Sequence, residues 1–267
     1  DGAFRMLTEK VFRERGFGCA SYKERCLRRR IAVRMRARGV HTYEDYARVL
    51  DRDAMEYERL LDALTINVTR LFRNKEVFAA IGARVIPEIW QWPTRRLRVW
   101  SAGCSSGEEA YSLAALMHRH SAERGAGSAL SRVDILGTDV HGPSLEAAAE
   151  GVYAESAFEE VPPEIREAYF GGREARNRAS PELRRLVRFE SHDLLRERPP
   201  ADGYALILCR NVLIYFDRPS QERLFEQFYQ ALAPGGFLVL GMVETLFGEA
   251  RGRFATLDAR ARIFRRP

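Results

Sequence analysis

The 267-residue chain carries 43 Lys and Arg against 37 Asp and Glu, for a formal net charge of +6, with 46% apolar and 30% charged residues. That balance suits a globular protein of one large domain, or one large and one small, and excludes global disorder. The longest apolar stretches, such as Phe237 to Leu240, fall far short of the ~20 residues that a membrane-spanning helix needs.

In chain order, residues 4–90 read as helical, with apolar positions recurring at three and four: Leu60, Leu61, Leu64, then Phe78, Ile81, Val85, Ile89. Gln91-Trp92-Pro93-Thr94 breaks that pattern. Short apolar strands then alternate with helices: strand Leu97–Ser101, helix Glu108–Met117, strand Val133–Thr138, helix Ser144–Glu150. Strand Tyr204–Cys209, helix Gln221–Leu232 and strand Phe237–Gly241 follow, and Phe254–Leu257 with Arg262–Phe264 suggest a terminal hairpin. Such alternation predicts an α/β fold, a mostly parallel sheet with helices on both faces. It lapses between Gly151 and Arg188, where Pro162-Pro163 and Gly171-Gly172 suggest an insertion, about 155–190. Domains are expected at 1–90 and 91–267.

Four cysteines, Cys19, Cys26, Cys104 and Cys209, form no C-x-x-C pair and no Cys/His cluster with zinc spacing. No metal site is expected, and a reduced, cytosolic setting fits best. No basic-then-apolar leader opens the chain.

Positive charge is concentrated. From Ser21 to Arg38 there are eight basic residues, opposed only by Glu24, and Gly39 ends the run as a helix stop would. At 100° per residue Leu27, Ile31 and Met35 share one stripe, while Arg25, Arg29 and Arg36 project opposite it. A solvated helix face usually mixes signs, so this density points to an acidic partner, either nucleic acid or an acidic protein surface.

The first strand runs into Ala102-Gly103-Cys104-Ser105-Ser106-Gly107-Glu108-Glu109. A small-residue turn between strand and helix lets a ligand approach the backbone at the carboxyl edge of the sheet. Asp139, ending the next strand, is placed to accept hydrogen bonds from ribose hydroxyls. The same turn matches G-x-S-x-G, with Ser105, Asp139 and His192 in the order Ser, Asp, His. A serine hydrolase is therefore an alternative, although no His-Gly-Gly-Gly type segment precedes the turn.

Taken together the blocks resemble the CheR proteins, the chemotaxis receptor methyltransferases. The resemblance runs over Tyr22–Arg30, Leu64–Arg73 and Arg98–Ala102, then Gly107–Ser112, Gly137–Asp139, Cys209–Phe216 and Leu232–Gly236, in the family's order. It implies an S-adenosylmethionine-dependent methyltransferase of Rossmann-like fold. A small N-terminal all-helical domain would precede it, and a small β-subdomain would be inserted in it. The implied activity is O-methylation of glutamate side chains on the cytoplasmic helices of chemotaxis receptors, giving methyl esters and S-adenosylhomocysteine.

The resemblance assigns Asn67, Thr69 and Arg73 to the cofactor site, with Gly103, Glu108, Asp139, Asp193, Leu194, Asn211 and Val212. Arg73 and Tyr215 are expected near the transferring methyl. Arg25, Arg29 and Arg36 are expected to face the acidic receptor bundle. The family usually has Asn where Asp193 stands, and its Gly-His-Ser-Glu is Gly241-Met242-Val243-Glu244 here. The stretch 169–189 looks a few residues shorter than in members that hold a receptor tail peptide, so no dependence on a tail is expected. A monomer is expected, without nucleic acid or membrane insertion. The alternatives are the hydrolase and a non-catalytic methyltransferase-like binding module.

Overall fold

A computed structural model describes residues 2–65, 69–125, 127–171 and 177–267. The chain divides into two compact units, Asp1–Asn67 with Tyr215–Gln221, and Val68–Ile214 with Glu222–Pro267.

The first unit is built on helices Gly2–Arg15, Glu24–Ala37, Tyr43–Arg52 and Ala54–Leu64. The expected stripe of Leu27, Ile31 and Met35 is buried, in a core with Leu7, Tyr46, Leu50 and Leu60. Thr42 and Asp53 open the third and fourth helices by accepting from the amides of Asp45 and Glu56, which have no partner within their helices. Within the same unit the Lys23 amide donates to the Tyr215 carbonyl at 2.8 Å, and Tyr22 pairs with Phe216 in an isolated bridge.

The basic run splits by role. Arg34 makes paired bonds to Glu56 at 3.0 and 2.6 Å, and the Tyr46 hydroxyl donates to the same carboxylate at 2.8 Å. Arg30 donates to the carbonyls of Ala63 and Leu64 at 3.2 and 2.7 Å, where the end of a helix gathers partial negative charge. Arg28 pairs with Glu24 at 2.6 Å and Arg38 with Asp53 at 3.0 Å. Arg25, Arg29 and Arg36 are exposed, and among the described residues they make no ion pair.

Glu56 is 0% exposed. Burial alone would raise its pKa, but Arg34 and Tyr46 outweigh that and hold the carboxyl below its ordinary value. A depressed folded pKa means that the stabilisation is complete above the unfolded value of ~4.3. It is lost as pH falls through the lower, folded value. Glu56→Ala would leave Arg34 and Tyr46 without their acceptor and is expected to cost about 3 kcal/mol. A urea midpoint followed by far-UV circular dichroism checks this, and the deficit should shrink toward low pH.

In the second unit, strands β1 (Leu97–Ala102), β2 (Val133–Asp139), β3 (Val187–Ser191), β4 (Tyr204–Cys209), β5 (Leu232–Leu240), β6 (Ala255–Asp258) and β7 (Ile263–Arg265) form one sheet. Their order is β3-β2-β1-β4-β5-β7-β6. The first five are parallel, and β7 lies antiparallel to both β5 and β6. β3 is not among the strands expected from the apolar pattern; it is the sheet's edge, with no fully buried residue.

Alternate residues of the central strands bury on opposite faces. Leu97, Val99, Ile135 and Leu208 share one core with helix Glu108–Glu123 and with Val77, Phe78, Ile81, Val85 and Ile89 of the helical stretch that precedes β1. Trp100 stacks on Tyr204 with ring centroids 5.4 Å apart, and meets Phe228 of helix Arg218–Ala231 at 5.6 Å.

The described residues of the insertion do not form the expected β-subdomain. Helix Gly142–Glu150, the 3-10 turn Glu155–Phe158 and helices Pro163–Phe170 and Pro181–Arg184 stand between β2 and β3, with one bridge pairing Val152 and Arg178. Pro163 and Pro181 each occupy a first helical position, where their missing N–H leaves no bond unmade. Residues 172–176, part of the stretch expected to be a shortened hairpin, lie outside the described residues.

Candidate cofactor site at the carboxyl ends of the strands

Chain order in the sheet reverses between β1 and β4, and ligands of such sheets bind in the crevice beyond the strand ends there. The turn after β1 meets the turn after β4 very closely. Gly103 has φ +78°, and a Cβ there would lie 2.5 Å from Cγ2 of Val212. Gly107, at φ +89°, leaves 2.9 Å between such a Cβ and both Ala148 Cβ and Phe189 Cζ. Only glycine meets both the left-handed backbone and the missing space.

Between these glycines Ser105 is also left-handed, at φ +49°. Its amide donates to Asp139 Oδ2 at 2.9 Å, and the His141 amide donates to Oδ1 at 3.0 Å. One main-chain donor on each oxygen fixes the carboxylate and leaves acceptor capacity on both. Glu108 begins the following helix and is 5% exposed; the Ser106 hydroxyl lies 3.0 and 2.8 Å from its two oxygens. Burial raises the Glu108 pKa, opposed by its own amide and by Ser106. The positive end of the helix dipole favours a carboxylate at this position. Tyr153 buttresses the turn by donating to the Ser106 carbonyl at 2.9 Å.

After β4, Asn211 is left-handed at φ +61°. Glu244 holds it there: this buried carboxylate accepts from the amides of Gly241 (2.6 Å), Asn211 (3.0 Å) and Ile214 (3.3 Å). Burial raises its pKa, and those amides oppose the rise. The Asn211 Oδ1 and Ser105 Oγ atoms are buried with no hydrogen-bond partner. Buried polar atoms are rarely left unpaired, so both call for a polar ligand.

Asp193 and Leu194 follow β3. Asp193 Oδ1 accepts from the Leu195 amide at 2.9 Å, Leu194 is buried, and the preceding His192 amide donates to the Asp139 carbonyl at 3.0 Å. Thr69 and Arg73 lie on the segment leading into helix Lys75–Ala80. Arg73 stands between two left-handed residues, Phe72 at φ +53° and Asn74 at φ +61°. Asn67 lies outside the described residues. Tyr215 belongs to the first unit, where its ring centroid is 5.0 Å from the Arg30 guanidinium carbon.

The geometry does not make a hydrolase. Ser105 is 7% exposed, its hydroxyl has no hydrogen bond, and Asp139 is bound by two amides rather than an imidazole. The His192 ring meets Trp100 edge-on at 5.7 Å, with Nδ1 3.6 Å from Glu197. Among the described residues no Ser–His–Asp relay exists, and no group of His, Cys, Asp and Glu suits a metal.

Residues 67–263 match the family model "CheR methyltransferase, SAM binding domain", and residues 2–65 match "CheR methyltransferase, all-alpha domain". The chain belongs to the CheR methyltransferase family. A "Chemotaxis protein methyltransferase" of Listeria monocytogenes is 35% identical over 252 residues, covering 94% of this chain and 93% of that protein. "Chemotaxis protein methyltransferase 2" of Pseudomonas aeruginosa is 32% identical, covering 90% and 85%. The Salmonella typhimurium "Chemotaxis protein methyltransferase" is 30% identical, covering 91% and 84%.

The cofactor is S-adenosylmethionine, and this CheR chain's residues suit it. Asp139 has acceptor capacity for ribose hydroxyls, and Asn211 and Ser105 present unpaired buried polar atoms. Glu244, which holds the Asn211 turn, and Arg210, which donates to the Arg73 carbonyl and lies beside Glu109, are not among the expected residues. A charged residue one position before or after a recognised motif residue (Arg210 before Asn211, Glu109 after Glu108) was the available signal. Asp139→Ala is expected to weaken S-adenosylhomocysteine binding by about 1–3 kcal/mol. Calorimetry on the folded variant checks it, and an unchanged affinity would remove Asp139 from the site.

Proposed function

We propose that this protein transfers the methyl group of S-adenosylmethionine to glutamate carboxylates on the cytoplasmic helices of chemotaxis receptors. The observation that carries the reading is the family match over both parts of the chain, 2–65 and 67–263, joined to an exposed arginine face in the first. Thr69, Arg73, Gly103, Glu108, Asp139, Asp193, Leu194, Asn211 and Val212, with Asn67, are the residues we assign to holding the cofactor. When bound, it supplies an electrophilic methyl group on a sulfonium.

A glutamate acceptor has an ordinary pKa of ~4.3, so at neutral pH it is already a nucleophilic carboxylate. The protein's task is orientation: bringing the carboxylate oxygen in line with the methyl carbon at about 3–3.5 Å. Arg73 and Tyr215 are the residues proposed to do this, Arg73 by anchoring a carboxylate geometrically. Too strong an ion pair would quench the nucleophile.

No protein base is needed. His192, the histidine nearest the site in sequence, has its pKa lowered by burial despite the opposing Glu197, Asp193 and Glu190 charges. The transfer rate at saturating cofactor and receptor is therefore expected to be flat across about pH 6–8. An ionisation below the ordinary ~6.5 that disappears in His192→Gln would contradict the mechanism.

Arg25, Arg29 and Arg36 supply a surface complementary to an acidic helix bundle. Attraction of this kind speeds encounter and is screened by salt. Reversing Arg29 and Arg36 to Glu is expected to slow methylation of receptor fragments roughly tenfold at low salt. Cofactor affinity should not change, and added salt should mimic the substitution. Methylation that tolerates both reversals yet collapses when the receptor's tail is deleted would overturn this mode of docking.

A further inference from the structure

Among the buried charges that the proposed roles leave unused, one sits beside the Arg73 segment. Arg210 is the last residue before the Asn211 turn and is 6% exposed. Its Nη2 donates to the Arg73 carbonyl at 2.9 Å and to Asn74 Oδ1 at 3.0 Å. Its Nη1 lies 3.4 Å from Glu109 Oε2, and Glu109 Oε1 accepts from the Ser101 hydroxyl at 2.7 Å. The Phe78 ring centroid is 5.3 Å from the guanidinium carbon. One side chain thus joins the first turn of helix Glu108–Glu123 to the Arg73 segment, and Glu109 carries the link on to Ser101 near the end of β1.

That segment needs outside support. Phe72 and Asn74 are both non-glycine residues with positive φ, a conformation that persists only where surroundings over-determine it. On one side of Arg73 the Phe72 amide donates to Ser112 Oγ at 2.8 Å, and Ser112 is itself in helix Glu108–Glu123. On the other side the support is Arg210, together with Glu160, which accepts from the Lys75 amide at 2.9 Å. A guanidinium is suited to the place, because its planar fork reaches two acceptors on the loop and a carboxylate at once. Burial lowers the Arg210 pKa and Glu109 opposes that, so the two buried charges depend on each other.

We propose that Arg210 is a positioning residue: with Glu109 as its counter-ion, it sets the main-chain conformation at Arg73 and so the placement of the Arg73 guanidinium toward the cofactor. The proposal rests on the assignment of Arg73 to the cofactor site. Ion pairs of this kind are often replaceable by apolar residues without loss of stability, so what this one contributes is geometry.

A double-mutant cycle tests it, using Arg210→Lys, Arg73→Ala and the pair, in the full chain. Two readouts are taken: S-adenosylhomocysteine affinity by calorimetry, and methyl transfer to receptor fragments at saturating cofactor. Arg210→Lys keeps the charge and loses the fork, and is expected to lower transfer roughly tenfold to a hundredfold. In the Arg73→Ala background the same substitution should have almost no further effect, because the two act as one unit. Glu109→Gln, which keeps the shape of Glu109, should repeat the pattern more weakly. If Arg73→Ala impairs the readouts and the two losses simply multiply, Arg210 is a structural residue only and the proposal falls. If Arg73→Ala alters neither readout, the assignment of Arg73 falls first and the positioning role goes with it.

Discussion

The approach of the β1 turn to the β4 turn constrains much of the second unit. Where the strand order reverses, two loops must leave neighbouring parallel strands without a helix between them, and here they touch at Gly103 and Val212. A side chain at residue 103 would hold the loops apart. The left-handed backbone at Gly103, Ser105 and Gly107 turns the chain tightly enough for the Ser105 amide to reach Asp139 on the adjacent strand. The same constraint recurs on the other loop, where Asn211 is left-handed and its amide is held by Glu244.

Buried charge is the second theme of that unit. Arg210 and Glu244 are buried and Glu109 nearly so, each with more than one hydrogen bond. Desolvation pushes both carboxyl pKa values up and the guanidinium pKa down. Such groups are costly unless satisfied. Here three amides meet Glu244, and the Ser101 hydroxyl and Arg210 meet Glu109. The Arg73 carbonyl and Asn74 meet Arg210, whose Nε alone has no partner, so the charges serve to fix backbone. The arrangement suits a reaction that needs orientation more than proton transfer.

In the first unit the same residue type does opposite things at neighbouring positions. Arg28, Arg30, Arg34 and Arg38 are spent on carboxylates and helix-end carbonyls within the unit. Arg25, Arg29 and Arg36 remain in water on the other side of the helix. The helical repeat alone separates the exposed set from Leu27, Ile31 and Met35. It does not reveal that Arg34 finds a fully buried glutamate, because Glu56 is distant in sequence.

Local pattern determined a good deal of this protein. Alternating apolar strands and helices announced β1, β2, β4 and β5, since central parallel strands are buried on both faces and so read as apolar runs. Glycines 103 and 107 and the strand-end Asp139 were legible because their requirement is local: a tight turn, and an acceptor at a strand terminus. Tertiary structure alone decided the rest. β3, as a half-exposed edge, has no apolar run to betray it, and its existence depends on pairing with β2. The insertion reads as irregular sequence, yet its described part is largely short helices opened by Pro163 and Pro181. The links of Arg210 to Arg73 and Asn74, and of Glu244 to Asn211, join residues far apart in the chain. No local propensity encodes such a link; only the packing of the strands brings donor and acceptor within hydrogen-bond reach.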